Sequence, residues 1–190
     1  MATQTPKTAL VTGASGGIGR ATALLLAQKG YAVALHYHQN RDAAETLCRS
    51  INEQGGRAVA LAADLSDAEQ ARTLVWEAES YLGLLDVFVH NAGFADQRLF
   101  CDISDELWRK MMDVHVNAAF YLTKAALPAM IRRKSGSIVY VSSMWGQVGA
   151  SCEVHYSTAK AALIGLTKAL AKEVGPSGVR VNCVAPGVIE

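Results

Sequence analysis

The sequence predicts an α/β fold built on a doubly wound parallel sheet, and three observations carry that prediction. Short apolar or β-branched runs alternate with helical stretches from end to end. Several of the runs are apolar almost continuously rather than at alternate positions, as strands covered on both faces require. The first strand–helix junction is a glycine-rich turn, TGASGGIG, where a helix N-terminus can receive an anion.

Taken in order, the strands are expected at 8–12, 31–37, 57–63, 85–90, 137–142 and 179–185. Helices are expected at 18–29, 43–54, 68–82, 105–134 and 154–174, with Pro128 kinking or dividing the fourth. Such alternation gives right-handed crossovers and helices on both sides of the sheet. No repeats, low-complexity tracts or linkers interrupt it, so residues 1–190 are expected to form one domain.

Composition narrows the function. The 190 residues are 51% hydrophobic with a net charge of +1, which excludes a disordered chain and a long-range field for nucleic acid or anionic membrane. Arg132-Arg133-Lys134, the lone basic cluster, reads as a solvated helix end complementing the dipole. The opening MATQTPK has no signal-peptide apolar core, and no later apolar run reaches membrane-spanning length. Cys48, Cys101, Cys152 and Cys183 form no close pair, which argues against zinc or a disulfide frame. The expectation is a cytoplasmic protein with reduced thiols and no metal.

The chemistry gathers where strands end, the edge at which open α/β sheets bind ligands. In the first turn, Gly13, Gly17 and Gly19 let the backbone approach a pyrophosphate closely, although the spacing is G-x-x-x-G-x-G rather than the commoner G-x-G-x-x-G. Asp64 closes the third strand; it can also be a helix N-cap, for which Ser66 and Asp67 are better placed. Asn91-Ala92-Gly93 closes the fourth strand, Ser142-Ser143 the fifth and Pro186-Gly187 the sixth. One such turn would mean little, but several outline a cleft. Tyr156 and Lys160 are four residues apart, so on a helix they share a face. The ammonium is expected to lower the phenol's pKa, suiting it to proton transfer with a carbonyl oxygen, while Ser143 holds that oxygen.

Together TGASGGIG, Asp64, HNAG, Ser143, Tyr156-x-x-x-Lys160 and VNCVAPGVI resemble the short-chain dehydrogenase/reductase family, over the whole chain and in the family's order. Within it the chain is most similar to 3-oxoacyl-[acyl-carrier-protein] reductases. SSMWGQVGASCEVHYS and ALAKEVGPSGVRVNCVAPGVI resemble the subgroup named elongation factor P 5-aminopentanone reductase. The resemblance implies a Rossmann-type nicotinamide enzyme that reduces a ketone to a secondary alcohol. The ketone would be an acyl chain on a carrier protein or a group on modified elongation factor P. Tyr156 would donate the proton, Lys160 would lower its pKa and bind the nicotinamide ribose, and Ser143 would steady the substrate oxygen. Gly13, Ser15, Gly17, Ile18 and Gly19 would cradle the pyrophosphate, and Asp64 and Leu65 would meet the adenine. Asn91, Ala92 and Gly93 would lie along the adenosine ribose, with Pro186, Gly187 and Ile189 at the carboxamide. Relatives assemble as tetramers or dimers, and Ala159, Ala162, Gly165 and Ala169 would permit close helix approach or pack within one subunit.

At the end of the second strand, His36 to Arg41 offers no carboxylate for ribose hydroxyls, whereas Arg41 and His38 can meet a phosphate. NADP(H) is therefore expected over NAD(H), although Gly16 replaces the arginine of many NADP-dependent relatives.

Two departures from the family stand out. His115 aligns with its catalytic asparagine, and imidazole can take over that hydrogen bonding or merely pack. The chain ends at Glu190, before the family's substrate-covering segment and seventh strand, and is expected to lack both. Both departures keep open the alternative of a non-catalytic NADP(H)-binding protein. In the loop before Tyr156, Glu153 has two readings: a first-turn carboxylate behind a Ser151 cap, or an attractor for a cationic substrate end.

Overall fold

The computed structural model describes residues 6–189. Segment 1–5 and Glu190, on which the expectations about the leader and the chain end fall, lie outside the described residues. Six strands form one parallel sheet: β1 (Thr8–Val11), β2 (Ala32–Tyr37), β3 (Arg57–Ala62), β4 (Val87–His90), β5 (Gly136–Val141) and β6 (Val179–Val184). Their order is β3-β2-β1-β4-β5-β6, so the winding reverses between β1 and β4. Every pairing is parallel, including the β1–β4 pair that puts Val11 beside Val89. The crevice at such a reversal is where nucleotides bind in open sheets.

The long helices are α1 (Gly17–Gln28), α2 (Arg41–Glu53), α3 (Ala68–Leu82), α4 (Asp105–Met112), α5 (Ala118–Arg133) and α7 (Val154–Val174). The four-residue α6 (Trp145–Val148) follows β5. Alternate residues of β1 to β5 feed the two cores, whereas β6, at the sheet edge, buries only one face. Leu10, Ala34, Phe88 and Tyr140 pack with residues of α3, α5 and α7. Val11, Leu35, Val89 and Val141 pack with residues of α1 and α2. Burial on both faces explains the nearly unbroken apolar strands.

The expected 105–134 helix is corrected by the structure. It is broken not at Pro128, which lies inside α5, but by a π-helical turn over Asp113–Asn117. The extra residue in that turn leaves the carbonyl of His115 to a side chain, and His90 Nε2 donates to it at 3.1 Å. Lys134, at φ 53, ends α5 in the left-handed conformation. Arg133 is not merely solvated there, because its guanidinium donates to the Leu85 carbonyl. Asp67, as the sequence suggests, caps α3 by accepting from the amides of Glu69 and Gln70 at 2.8 and 3.0 Å.

Candidate active site

The glycine turn comes first, because the rest of the cleft is hung on it. Gly13 (φ +64) and Gly17 (φ +46) occupy backbone conformations that side chains disfavour. A Cβ on Gly19 would fall on the Gly13 carbonyl, so only glycine lets α1 sit this close to the end of β1. Gly16, at the N-cap of α1, brings no capping side chain, and the first turn carries no acidic residue. A twelve-residue helix thus presents open amides toward the cleft, which fits a pyrophosphate.

Side chains that the sequence reading assigned no role brace this turn. His36 Nδ1 accepts from the Gly13 amide at 3.1 Å while Nε2 donates to the Ala63 carbonyl at 3.1 Å. Burial holds its pKa down, to about 4, so it is the neutral ring that does this. Thr12 Oγ1 accepts from the amides of Asn91 and Ala92, each at 3.0 Å. Its hydroxyl faces His90 Nδ1 at 3.2 Å, and His90 is itself held down to about 3, chiefly by burial. Asn91, expected along the ribose, borders the cavity over β4, β5 and β6 and donates its side-chain amide to the carbonyls of Thr12 and Gly13, both at 3.2 Å. A histidine in an apolar strand gave no signal that it would clamp a neighbouring turn.

Two cavities meet at Gly93 and Phe94 and form one cleft across the sheet edge. The larger, about 420 Å³, lies over β2 and β3 and takes in Gly13, Ser15, His38, Asp64, Leu65 and Ala92. The smaller, about 280 Å³, lies over β4, β5 and β6. It gathers Ser143, Tyr156, Lys160 and His115 with Ile18 on one side and Pro186, Gly187 and Ile189 on the other. A separate cavity near Pro6, Tyr31 and Arg57 lies at the opposite strand ends and holds none of these groups. Of the expected cofactor residues, Gly17, Gly19 and Arg41 line neither part of the cleft, and Arg41 is turned away from it. Its Nε donates to Glu45 at 2.6 Å, and its side chain is 71% exposed. His38 faces Asp64 at 3.8 Å, and Asp64 accepts from the amide and hydroxyl of Ser66.

Around the phenol, one expectation is reversed. Tyr156 has its pKa raised, not lowered: partial burial dominates, a hydrogen bond with Ser143 opposes it, and the charge of Glu153 adds to it. Lys160 shares the helix face as expected, with Nζ 5.4 Å from the centre of the Tyr156 ring, but it donates to the Val141 carbonyl at 2.8 Å. Burial brings its own pKa down to about 8. Spacing could show which residues meet, whereas desolvation depends on what covers them. Ser143 Oγ accepts from the Trp145 amide at 3.2 Å, and Ser142 Oγ donates to the Lys160 carbonyl at 2.7 Å, tying β5 to α7.

His115 is 1% exposed and stands edge-on to Tyr156, with ring centres 5.6 Å apart. Its Nε2 lies 3.1 Å from the Phe94 amide and 2.9 Å from the Phe94 carbonyl, while Nδ1 has no partner. Burial and the Lys160 charge hold it neutral, its pKa down at about 3. Asn117 lines neither part of the cleft and donates to Asp113. Glu153, not Ser151, stands at the N-cap position of α7.

A parallel sheet with a glycine turn at its reversal point, and a serine, tyrosine and lysine facing that turn, defines a dinucleotide-binding oxidoreductase. The model of the family described as short chain dehydrogenase matches residues 7–190. The chain belongs to the short-chain dehydrogenase/reductase family, whose members use a nicotinamide dinucleotide. It is similar, at 46% identity over 97% of its length and 75% of the relative's, to the "uncharacterized oxidoreductase YmfI" of Bacillus subtilis. It is 40% identical to the 3-oxoacyl-[acyl-carrier-protein] reductase FabG of Staphylococcus aureus, over 96% of this chain and 74% of the other. A crystal structure from Sinorhizobium meliloti 1021, of a protein assigned as a short-chain alcohol dehydrogenase, superposes with a TM-score of 0.93. That match is at 36% identity and covers 98% of this chain and 74% of the other. Among the described residues no helix is long and apolar enough to cross a membrane, and no cluster of metal-ligating side chains occurs.

Proposed function

We propose that the protein reduces a ketone to a secondary alcohol with NADPH. The observation that carries this reading is the meeting of Ser143, Tyr156 and Lys160 in one cavity that also reaches Ile18, Pro186 and Gly187. Bound reduced nicotinamide would supply the hydride that becomes the new C–H bond. Tyr156 supplies the proton that becomes the alcohol O–H; its raised pKa keeps the phenol protonated at neutral pH, as donation requires. Ser143 hydrogen-bonds the substrate oxygen while negative charge grows on it. Lys160, still an ammonium below about pH 8, stabilises the phenolate left behind.

NADP(H) is favoured over NAD(H) because β2 ends without a carboxylate and His38 and Asn40 line the larger cavity, with Arg41 next in sequence. The substrate is a 3-oxoacyl thioester on a carrier protein or a protein-linked amino-ketone, such as a modified elongation factor P. The identity to reductases named for 3-oxoacyl-carrier-protein supports a substrate of this kind. We also propose a cytoplasmic homotetramer packed through α5 and α7. Gly165 and Ala169 are exposed there, whereas Ala159 is buried inside the subunit.

NADPH oxidation measured with a panel of ketones tests the reading. Reduction by the natural chain, lost by about 10²-fold or more in Tyr156→Phe with NADPH binding intact, is the expected result. Equal turnover by Tyr156→Phe would overturn it, and NADPH binding without any ketone reduction would leave a cofactor-binding protein.

A further inference from the structure

The reductase reading leaves Glu153 unaccounted for. The residue is only 8% exposed and stands where a capping residue would, yet its side chain makes no bond to the first amides of α7. One carboxylate oxygen accepts from Gln97 Nε2 at 2.9 Å. No lysine, arginine or histidine among the described residues forms an ion pair with it. The carboxylate lines a cavity of about 200 Å³ whose wall also includes Ser143 and Tyr156. The rest of that wall is Ala95, Met144, Trp145, Gly187 and Val188, none of which carries charge.

The N-terminus of a 21-residue helix offsets part of this charge, which is why the free chain tolerates it. The helix does not explain why the charge faces the reaction. A fixed anion beside a phenol opposes the phenolate that proton donation creates, and Glu153 does push the Tyr156 pKa upward. A neutral acyl chain filling the cavity would strip the remaining water from a carboxylate that has one neutral partner, a costly burial. A ketone bearing a carboxylate would be repelled. A substrate that brings a cation removes both penalties at once.

We propose that Glu153 binds a protonated amine carried on the ketone substrate within a few bonds of its carbonyl. The inference rests on the reductase reading and selects, between its two substrate classes, the amino-ketone. The ammonium donates to the oxygens of Glu153 while the carbonyl oxygen lies between Ser143 and Tyr156. Charge-assisted hydrogen bonding of this kind gives about a tenfold to hundredfold preference over an uncharged ketone of equal length.

The test uses the full chain with NADPH and ketones of matched length ending in an ammonium, a methyl or a carboxylate. The ammonium-bearing ketone is supplied both free and on the side chain of a peptide lysine, so that the two sources are separated. We expect kcat/KM to rank ammonium above methyl above carboxylate, and the ammonium-to-methyl ratio to fall toward one in Glu153→Gln. A ratio near one in the natural chain, or one unchanged by Glu153→Gln, overturns the proposal. Calorimetry of pentylammonium and pentanol, run on both chains, separates this failure from failure of the reductase reading. Ammonium-selective binding lost in Glu153→Gln, with no ketone reduced, supports the Glu153 site and refutes the reductase. Ketones reduced without selectivity do the reverse.

Discussion

Gly93 and His115 share one space: a Cβ added at residue 93 would fall on Cε1 of the imidazole and lie 2.7 Å from Nδ1. The glycine at the end of β4 and the histidine of the π-helical turn are therefore a matched pair. Gly93→Ala alone must push the ring off Phe94 or the strand end off the cleft, costing about 1–3 kcal/mol of stability. His115→Asn opens the space, so the two changes together should cost clearly less than their sum, by at least about 0.5 kcal/mol. Urea unfolding of the four chains checks this, and strict additivity would show that the pair does not interact.

For turnover, His115→Asn should preserve or raise kcat, since Nε2 is engaged by the Phe94 backbone and Nδ1 has no partner to lose. A loss of about tenfold or more in NADPH oxidation would give the imidazole a part of its own in proton transfer.

Lys160 carries its charge at a cost in stability. Its pKa moves from 10.5 to about 8, so carrying the charge at neutral pH costs about 3 kcal/mol. Below pH 8 the penalty is complete. Between 8 and 10.5 the folded chain has shed a proton that the unfolded chain keeps, so the penalty fades as pH rises. Lys160→Met should raise stability at pH 7 by about 1–2 kcal/mol, after about 1 kcal/mol for the lost bond to Val141, while abolishing reduction. Denaturant midpoints and ketone turnover on the same samples decide it.

The buried histidines set the acid limit. His36 falls to about 4, and His90 and His115 to about 3, all from 6.5. Within these windows the unfolded chain binds protons that the folded chain refuses, so stability is lost as pH falls below about 6.5. Each histidine contributes a slope of up to about 1.4 kcal/mol per pH unit. His36→Gln keeps an acceptor for Gly13 and should flatten the dependence by about one proton between pH 6.5 and 4. An unchanged slope would place the acid sensitivity elsewhere.

On the proposed NADPH reading, Glu45 competes with the ribose phosphate for Arg41. With Arg41 paired to it at 2.6 Å, Glu45→Gln should tighten NADPH, and Arg41→Ala should weaken it, each by roughly threefold to tenfold. NADH affinity should move in neither. Fluorescence titration with the two cofactors measures this, and parallel shifts would remove Arg41 from phosphate recognition.

What the sequence made legible was order and adjacency. Apolar runs located all six strands to within about two residues. Strand-end residues such as Gly13, Gly93, Ser143, Pro186 and Gly187 do border one cleft. What escaped the sequence depends on burial and on contacts distant along the chain. The spacing of Tyr156 and Lys160 says that they meet, but the direction of the phenol's pKa follows from how much covers it. His36 reads as one more strand residue until Gly13, 23 positions away, is folded against it. Pro128 drew attention as a helix breaker, while the real break, at 113–117, contains no proline or glycine to announce it.

That break has a consequence for how the protein can change. Each residue of a regular helix turns the chain by about 100°, so deleting Asp113 or Val114 would heal the helix into uniform coils. The same deletion would swing the imidazole at 115 out of register with the phenol it now meets edge-on, and strip His90 of its carbonyl partner. A smoother helix would disturb the wall of the cleft, and length variation, tolerated in surface loops, should be poorly tolerated in this one turn.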